Sequence, residues 1–140
     1  MCYTLNITTE RVMSMAEIDL PHNHGHEMDA IISMLPYTED FMALADVFKQ
    51  LGDSSRLRIF WLLCHCEECV INISALMDMS SPAVSHHLKQ LRSCGLIVSR
   101  RNGKEVYYKA AETKQTKLLH DVIENMADFI CAVHRENDTE

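Results

Sequence analysis

Three rhythms of apolar and polar residues run along this chain. From Thr38 onward, Phe41, Leu44, Ala45, Val47, Phe48 and Leu51 recur at helical spacing behind a capping threonine and the acidic first-turn residues Glu39 and Asp40, and Gly52 ends the run. Asp53 or Ser54 then starts a second helix, in which Leu57, Ile59, Phe60, Leu62 and Leu63 are apolar and Arg56 and Arg58 polar. Val70 to Met77 reads as a short apolar helix with Asn72 as its candidate cap, and Asp78-Met79-Ser80 links it to the most informative stretch, Ser80 to Gly95. There Ser80 or Ser81 caps a helix whose first turn tolerates Pro82; Val84, Leu88 and Leu91 form its core face, and Gly95 closes it. After Gly95 the period drops to two: Leu96 and Val98, then Val106 and Tyr108, with the hairpin signal Asn102-Gly103 between them. The final rhythm is helical again, Thr116 to His134, with Leu118, Leu119, Val122, Ile123, Met126, Ile130 and Val133 on its stripe.

These elements predict a mainly α fold with a small β-hairpin, a helix-turn-helix followed by a two-stranded wing. Residues 1–37 show no sustained period and read as a flexible arm, 38–134 as the folded domain, and 135–140 as a tail. The last stripe is too apolar to leave wet, and the chain holds no further element to cover it. It therefore points, with the similarly rich N-terminal helix, to a homodimer joined through N- and C-terminal helices. Such a dimer would set two recognition helices roughly 34 Å apart, one turn of DNA.

Charge sharpens that picture. A net charge of −7 argues at first against a nucleic-acid partner, because non-specific affinity comes from neutralising phosphates. Its distribution reverses the argument. Residues 81–110 hold Lys89, Arg92, Arg100, Arg101, Lys104 and Lys109 against the single acid Glu105, whereas residues 1–40 hold seven acids and one cation, Arg11. On the Ser80–Gly95 helix, Ser85, His86, Lys89 and Arg92 offer short donors for base edges and cations for phosphates. Ser81, His87 and Gln90 join them as candidates, and Arg100, Arg101 and Lys104 arm the wing. The expected partner is double-stranded operator DNA. The apolar runs are too short to cross a bilayer and the N-terminus lacks the regions of a secretory signal, so no membrane role and a cytoplasmic location are expected.

Six cysteines in a chain read as cytoplasmic suggest free thiols rather than a disulfide framework. Cys64, Cys66 and Cys69 cluster within six residues around His65. On one continuous helix they could not meet a single ion, but a helix end at Cys64 or His65 followed by a loop would let them converge. Thiolates with imidazole suit zinc, cadmium, lead, copper(I) or arsenic(III). Cys2, His65 and the alternating histidines His22, His24 and His26 are candidates to complete the set. The competing reading makes the cysteines small buried hydrophobes. Cys94 and Cys131 read simply as packing residues, and His120 with Glu124 as a surface hydrogen-bonded pair.

The run Leu44 to Ile59, the pair Cys69-Val70, the run Ser85 to Leu91 and Gly95-Leu96-Ile97 together resemble the ArsR/SmtB family of metal-sensing bacterial repressors, over roughly residues 38–134. The resemblance implies a winged-helix homodimer that binds its operator and releases it when metal or metalloid binds. It also implies two kinds of ligand site. In one, Cys69 and Val70 match the family's Cys-Val-Cys-acid pattern but Ile71 and Asn72 replace the second cysteine and the acid. In the other, on the last helix, Glu112, Lys114, Asn125 and Asp128 stand near the family's ligand positions and make a poor zinc set. Two alternatives stay open: a thiol-redox repressor of the same fold and, more distantly, a zinc-dependent enzyme. For the latter His26-Glu27 resembles half of a zinc-deaminase signature whose Pro-Cys-x-x-Cys half is absent.

Overall fold

A computed structural model describes residues 21–22 and 28–137. The chain divides into two units, one ending at Leu44 and one beginning at Ala45. In the first, α1 (Met28–Met34) is a single short helix within the stretch expected to be an arm. Its Ile31 and Met34 are exposed, as is Leu35 after it. α2 (Thr38–Leu51) follows and continues into the second unit from Ala45; Glu39 and Asp40 lie in its first turn, where carboxylates face the positive end of the helix dipole.

The second unit is built on α3 (Ser54–His65), β1 (Glu68–Cys69), α4 (Val70–Met77), α5 (Ser81–Ser93), β2 (Ile97–Asn102), β3 (Glu105–Ala110) and α6 (Lys114–Asn137). The Asp53 side chain accepts the Arg56 N–H at 2.8 Å and so starts α3. The helix stops after His65, where Cys66 turns extended, which is the break expected in the cysteine cluster. Glu68 and Cys69 then pair with Tyr108 and Tyr107, adding a short third strand to the expected hairpin in the order β1-β3-β2. Two residues are too few to show an alternating pattern, so the sequence carried no sign of it. α4 begins at Val70 rather than at Asn72, whose amide instead donates to Glu68 Oε2 at 2.7 Å.

Asp78, at φ 53°, ends α4 in the left-handed region that aspartate tolerates, and so aims α5 across α4. Ser80 Oγ accepts the Ala83 N–H at 3.3 Å at the start of α5. At its end Leu96 N–H reaches Leu91 C=O and Gly95 N–H reaches Arg92 C=O, a paired closure that needs the positive φ of Gly95. In the wing Asn102 pairs with Glu105, so the turn residues are Gly103 and Lys104, one step beyond the Asn-Gly signal, with only Gly103 at positive φ. Thr113 Oγ1 accepts the Thr116 N–H at 3.1 Å, which starts α6 two residues earlier than the apolar stripe suggested.

Ile59, Phe60 and Leu63 of α3, Ile73 of α4, Val84, Leu88 and Leu91 of α5, and Leu96 and Ile97 are almost fully buried together. This core fixes α5 from behind and leaves its polar face outside. The α6 stripe splits: Leu119 and Ile123 pack on the core, while Leu118, Val122, Met126, Ile130 and Val133 stay exposed on the single chain. Phe48 of α2 is exposed too. Among the described residues no helix is long and apolar enough to cross a membrane.

Candidate functional site

With Val84, Leu88 and Leu91 buried, helical geometry turns Ser85, His86, Lys89 and Arg92 outward, and all four are exposed. Gln90 is half-buried beside them. Ser81 Oγ lies 3.2 Å from Ser74 Oγ, a hydroxyl pair that ties the start of α5 to α4. Ser85, Lys89 and Arg92 border, with Tyr108, a groove between α5 and the wing. Beyond it the wing carries Arg101 and Lys104, both exposed.

Two residues grouped with this face behave differently. The His87 side chain is only 13% exposed; its Nδ1 lies 3.9 Å from Asp53 Oδ1 and 3.5 Å from Arg56 Nε, so it joins α5 to the start of α3 and is withdrawn from solvent. Burial holds its pKa below the usual imidazole value, against the raising influence of Asp53. Arg100 Nε donates to both Glu67 carboxylate oxygens, at 2.8 and 3.0 Å, its terminal nitrogen also reaches Glu67, and the guanidinium lies over the Tyr107 ring. This fork neutralises a cation that composition alone counts as free. Lys109 likewise pairs with Glu112 at 2.8 Å. Lys89, Arg92, Arg101 and Lys104 make no ion pair among the described residues. The positive face is thus smaller than the sequence count, and it is confined to α5 and the wing tip.

The three clustered thiols occupy the α3 end, the following turn and β1. Cys64 is half-buried, Cys66 Sγ donates to Leu62 C=O at 3.4 Å, and Cys69 is buried at the start of α4. Burial, with Glu124 nearby, pushes the Cys64 thiol up to about 11, and burial raises Cys66 as well. Among the described residues the group of three donors whose ligand atoms converge is a different one: His65, His120 and Glu124. Glu124 Oε1 lies 3.2 Å from His65 Nε2 and 3.3 Å from His120 Nε2, and also accepts the Trp61 N–H at 2.6 Å. Those bonds, first from Trp61 and then from His65, hold the Glu124 carboxyl below its usual range. The pair His120 and Glu124 is therefore a pair as expected, but His65 of α3 joins it and Trp61 braces it. His22 is exposed, and Cys2, His24 and His26 lie outside the described residues.

Known proteins agree with this architecture. The sequence pattern described as "Bacterial regulatory protein, arsR family" matches residues 53–99. The chain is 33% identical over 110 residues to a transcriptional repressor SmtB homolog of Synechocystis, covering 79% of this chain and 83% of that protein. The chain belongs to the arsR family. It is 43% identical over 65 residues to the arsenic resistance transcriptional regulator ArsR2 of Pseudomonas putida, covering 46% of this chain and 56% of that one. Its fold matches the homodimeric winged helix-turn-helix DNA-binding domain Mb0332 of Mycobacterium bovis, with a TM-score of 0.57 at 27% identity over 76% of this chain and 91% of that one.

Membership in the arsR family makes this a regulatory protein and not an enzyme, and the deaminase-like reading of His26-Glu27 falls away. Two of the positions that the resemblance marks are engaged otherwise in this arsR-family chain: Glu112, just before α6, pairs with Lys109, and the Asn125 amide donates to the Asp121 C=O at 2.6 Å. Cys131, expected to pack, is exposed on the single chain, whereas Cys94 is half-buried and donates to the Leu91 C=O. Trp61 is the residue that sequence reasoning passed over, since a lone tryptophan in an apolar helix reads as core and nothing in its spacing reveals a carboxylate 63 positions away.

Proposed function

We propose that this protein is a homodimeric transcriptional repressor of the bacterial cytoplasm that binds operator DNA through α5 and the wing and releases it when a soft metal or metalloid ion binds at cysteine thiolates. The observation that carries the DNA reading is the exposed face of Ser85, His86, Lys89 and Arg92, continued by unpaired Arg101 and Lys104 at the wing tip. Short donors on a helix reach base edges in the major groove, and flanking cations hold the phosphates. His87 and Arg100 act as positioning residues in this reading, one fixing α5 on α3 and the other bracing the wing against Glu67.

The dimer follows from α6. Leu118, Val122, Met126, Ile130 and Val133 form an exposed apolar stripe that a monomer would leave in water, and a homodimeric structural relative supports its burial against a second copy. For the inducer, the arsenic-resistance relative supports a soft ion, and Cys64, Cys66 and Cys69 supply the soft donors. They span the end of α3 and the start of α4, the two helices on which α5 rests, so an ion drawing them together would shift the recognition helices. The raised thiol pKa values of Cys64 and Cys66 favour this over redox sensing, because oxidant-sensing cysteines are thiolates at neutral pH, whereas a bound ion removes the proton by its own charge.

The test is a mobility shift with the purified protein on DNA from upstream of its own gene, titrated with arsenite, cadmium and zinc. The reading expects retardation without ion, release with at least one, and loss of that release when Cys64, Cys66 and Cys69 are replaced by serine. Release by peroxide in the presence of chelator would instead support the redox reading.

A further inference from the structure

His65, at the last turn of α3, and His120 and Glu124, one turn apart on α6, bring three lone-pair atoms into a closed triangle. The His65 Nε2 to His120 Nε2 distance is 3.1 Å, His65 Nε2 to Glu124 Oε1 is 3.2 Å and His120 Nε2 to Glu124 Oε1 is 3.3 Å. Hydrogen bonds alone do not account for three such edges. An ionised carboxylate only accepts, each imidazole nitrogen carries at most one proton, and a ring N–H points along one direction, so at most two edges can be bonded at once. The third is left as a close approach of two polar atoms with no bond between them. A cation at the centre satisfies all three.

We propose that His65, His120 and Glu124 form a binding site for a borderline divalent transition metal of the zinc class, which clamps the end of α3 to α6 within one chain. Zinc binds imidazole nitrogen and carboxylate oxygen at about 2.0–2.1 Å, and a tetrahedron of that size has ligands about 3.3 Å apart, close to the edges observed. Two imidazoles and one carboxylate are harder donors than the thiolates proposed for the inducer, so this site selects a different ion class. Its surroundings fit the same role. The Trp61 N–H takes one lone pair of Glu124 Oε1 and leaves the other for the ion, the Trp61 ring packs on His65 with centroids 4.4 Å apart, and His120 Nδ1 has Asp121 Oδ1 at 3.9 Å on its far side. The adjacent groove, lined by Cys64, Cys66, Lys117 and His120 among others, gives a water access to the fourth position. The site uses none of the last-helix positions Glu112, Lys114, Asn125 and Asp128, and it stands whether or not the protein binds DNA.

Cobalt(II) reports on it directly. In full-length protein carrying Cys64→Ser, Cys66→Ser and Cys69→Ser, titration with Co²⁺ should give one equivalent per chain with the intense visible absorption of a tetrahedral centre. No thiolate-to-cobalt charge-transfer band should appear, and zinc should displace the signal. In that background His120→Gln and Glu124→Gln should each weaken binding by at least roughly 100-fold, and Trp61→Phe, which keeps all three ligands, by about 10-fold. Far-ultraviolet dichroism checks the fold of each variant, and Glu124→Gln retains an acceptor for Trp61. Absence of a tetrahedral signal, or a signal that His120→Gln and Glu124→Gln leave unchanged, would overturn the proposal.

Discussion

The structure separates cations that sequence alone treats as equal, and salt dependence makes the difference measurable. On α5 and the wing each chain presents four cations without an ion pair among the described residues, Lys89, Arg92, Arg101 and Lys104, so the proposed dimer presents eight on that face. If each reaches a phosphate, counterion release at about 0.9 per contact gives a log–log salt slope of about −7, and raising salt from 50 to 200 mM should weaken binding by roughly 10⁴-fold. Replacing Arg101 and Lys104 by glutamine removes four contacts per dimer. The slope should fall to about −4 and the loss across the same range to roughly 10²-fold. Removing the fork as a unit, with Glu67→Gln and Arg100→Gln, takes away no net charge and should leave the slope near its original value. Fluorescence anisotropy on a labelled operator fragment at four salt concentrations measures all three. If neutralising the Glu67–Arg100 pair flattened the slope as much as removing the wing-tip pair does, Arg100 would be a phosphate contact and the assignment of free and spent cations would be wrong.

Other expectations follow from burial. Leu88 is 1% exposed in the middle of α5, and Leu88→Ala should cost about 3 kcal/mol by lost transfer energy and cavity formation, read as a lowered midpoint in urea unfolding. His87 carries a pH signature. Burial keeps its folded pKa below the usual 6.5, although Asp53 opposes the shift and Arg56 and His86 reinforce it. The unfolded chain then binds the extra proton first, so stability is complete above pH 6.5 and falls as pH drops through that value. His87→Gln should show a shallower loss between pH 7.5 and 5.5 in thermal melts, and parallel curves for the two proteins would refute the assignment. Finally, Met126→Glu places charge on the exposed α6 stripe; sedimentation should shift from dimer to monomer, with DNA affinity falling because half-sites are no longer held together.

How far the sequence spoke depended on the range of each interaction. Helix periods, the Ser80 cap, Gly95 and the wing turn are written within a few residues of one another, and the structure places them within two positions of where the pattern does. The α2 and α6 stripes were legible as apolar faces, but their exposure on one chain becomes visible only when the core is seen to close without most of them. Side-chain partners were the hardest to read. Arg100 and Glu67 are 33 positions apart, so composition could count the cation but could not see it spent.

The thiol cluster and the histidine triangle show the same limit from opposite sides. Cys64, Cys66 and Cys69 drew notice because they are close in sequence, yet the helix end and β1 spread them over three kinds of local structure, only one of which is buried. His65 and His120 are 55 positions apart and drew little, yet packing of α6 beside α3 brings their ring nitrogens to 3.1 Å. A short spacing is a statement about the chain, whereas coordination is a statement about the fold. The two candidate sites meet at His65, which follows Cys64 directly and points its ring at α6. An ion held by the triangle would fix the end of α3, the same segment that a soft ion at the cysteines would have to move. Zinc-class occupancy of one site should therefore oppose soft-ion occupancy of the other, and by linkage the opposition must be mutual and equal in free energy.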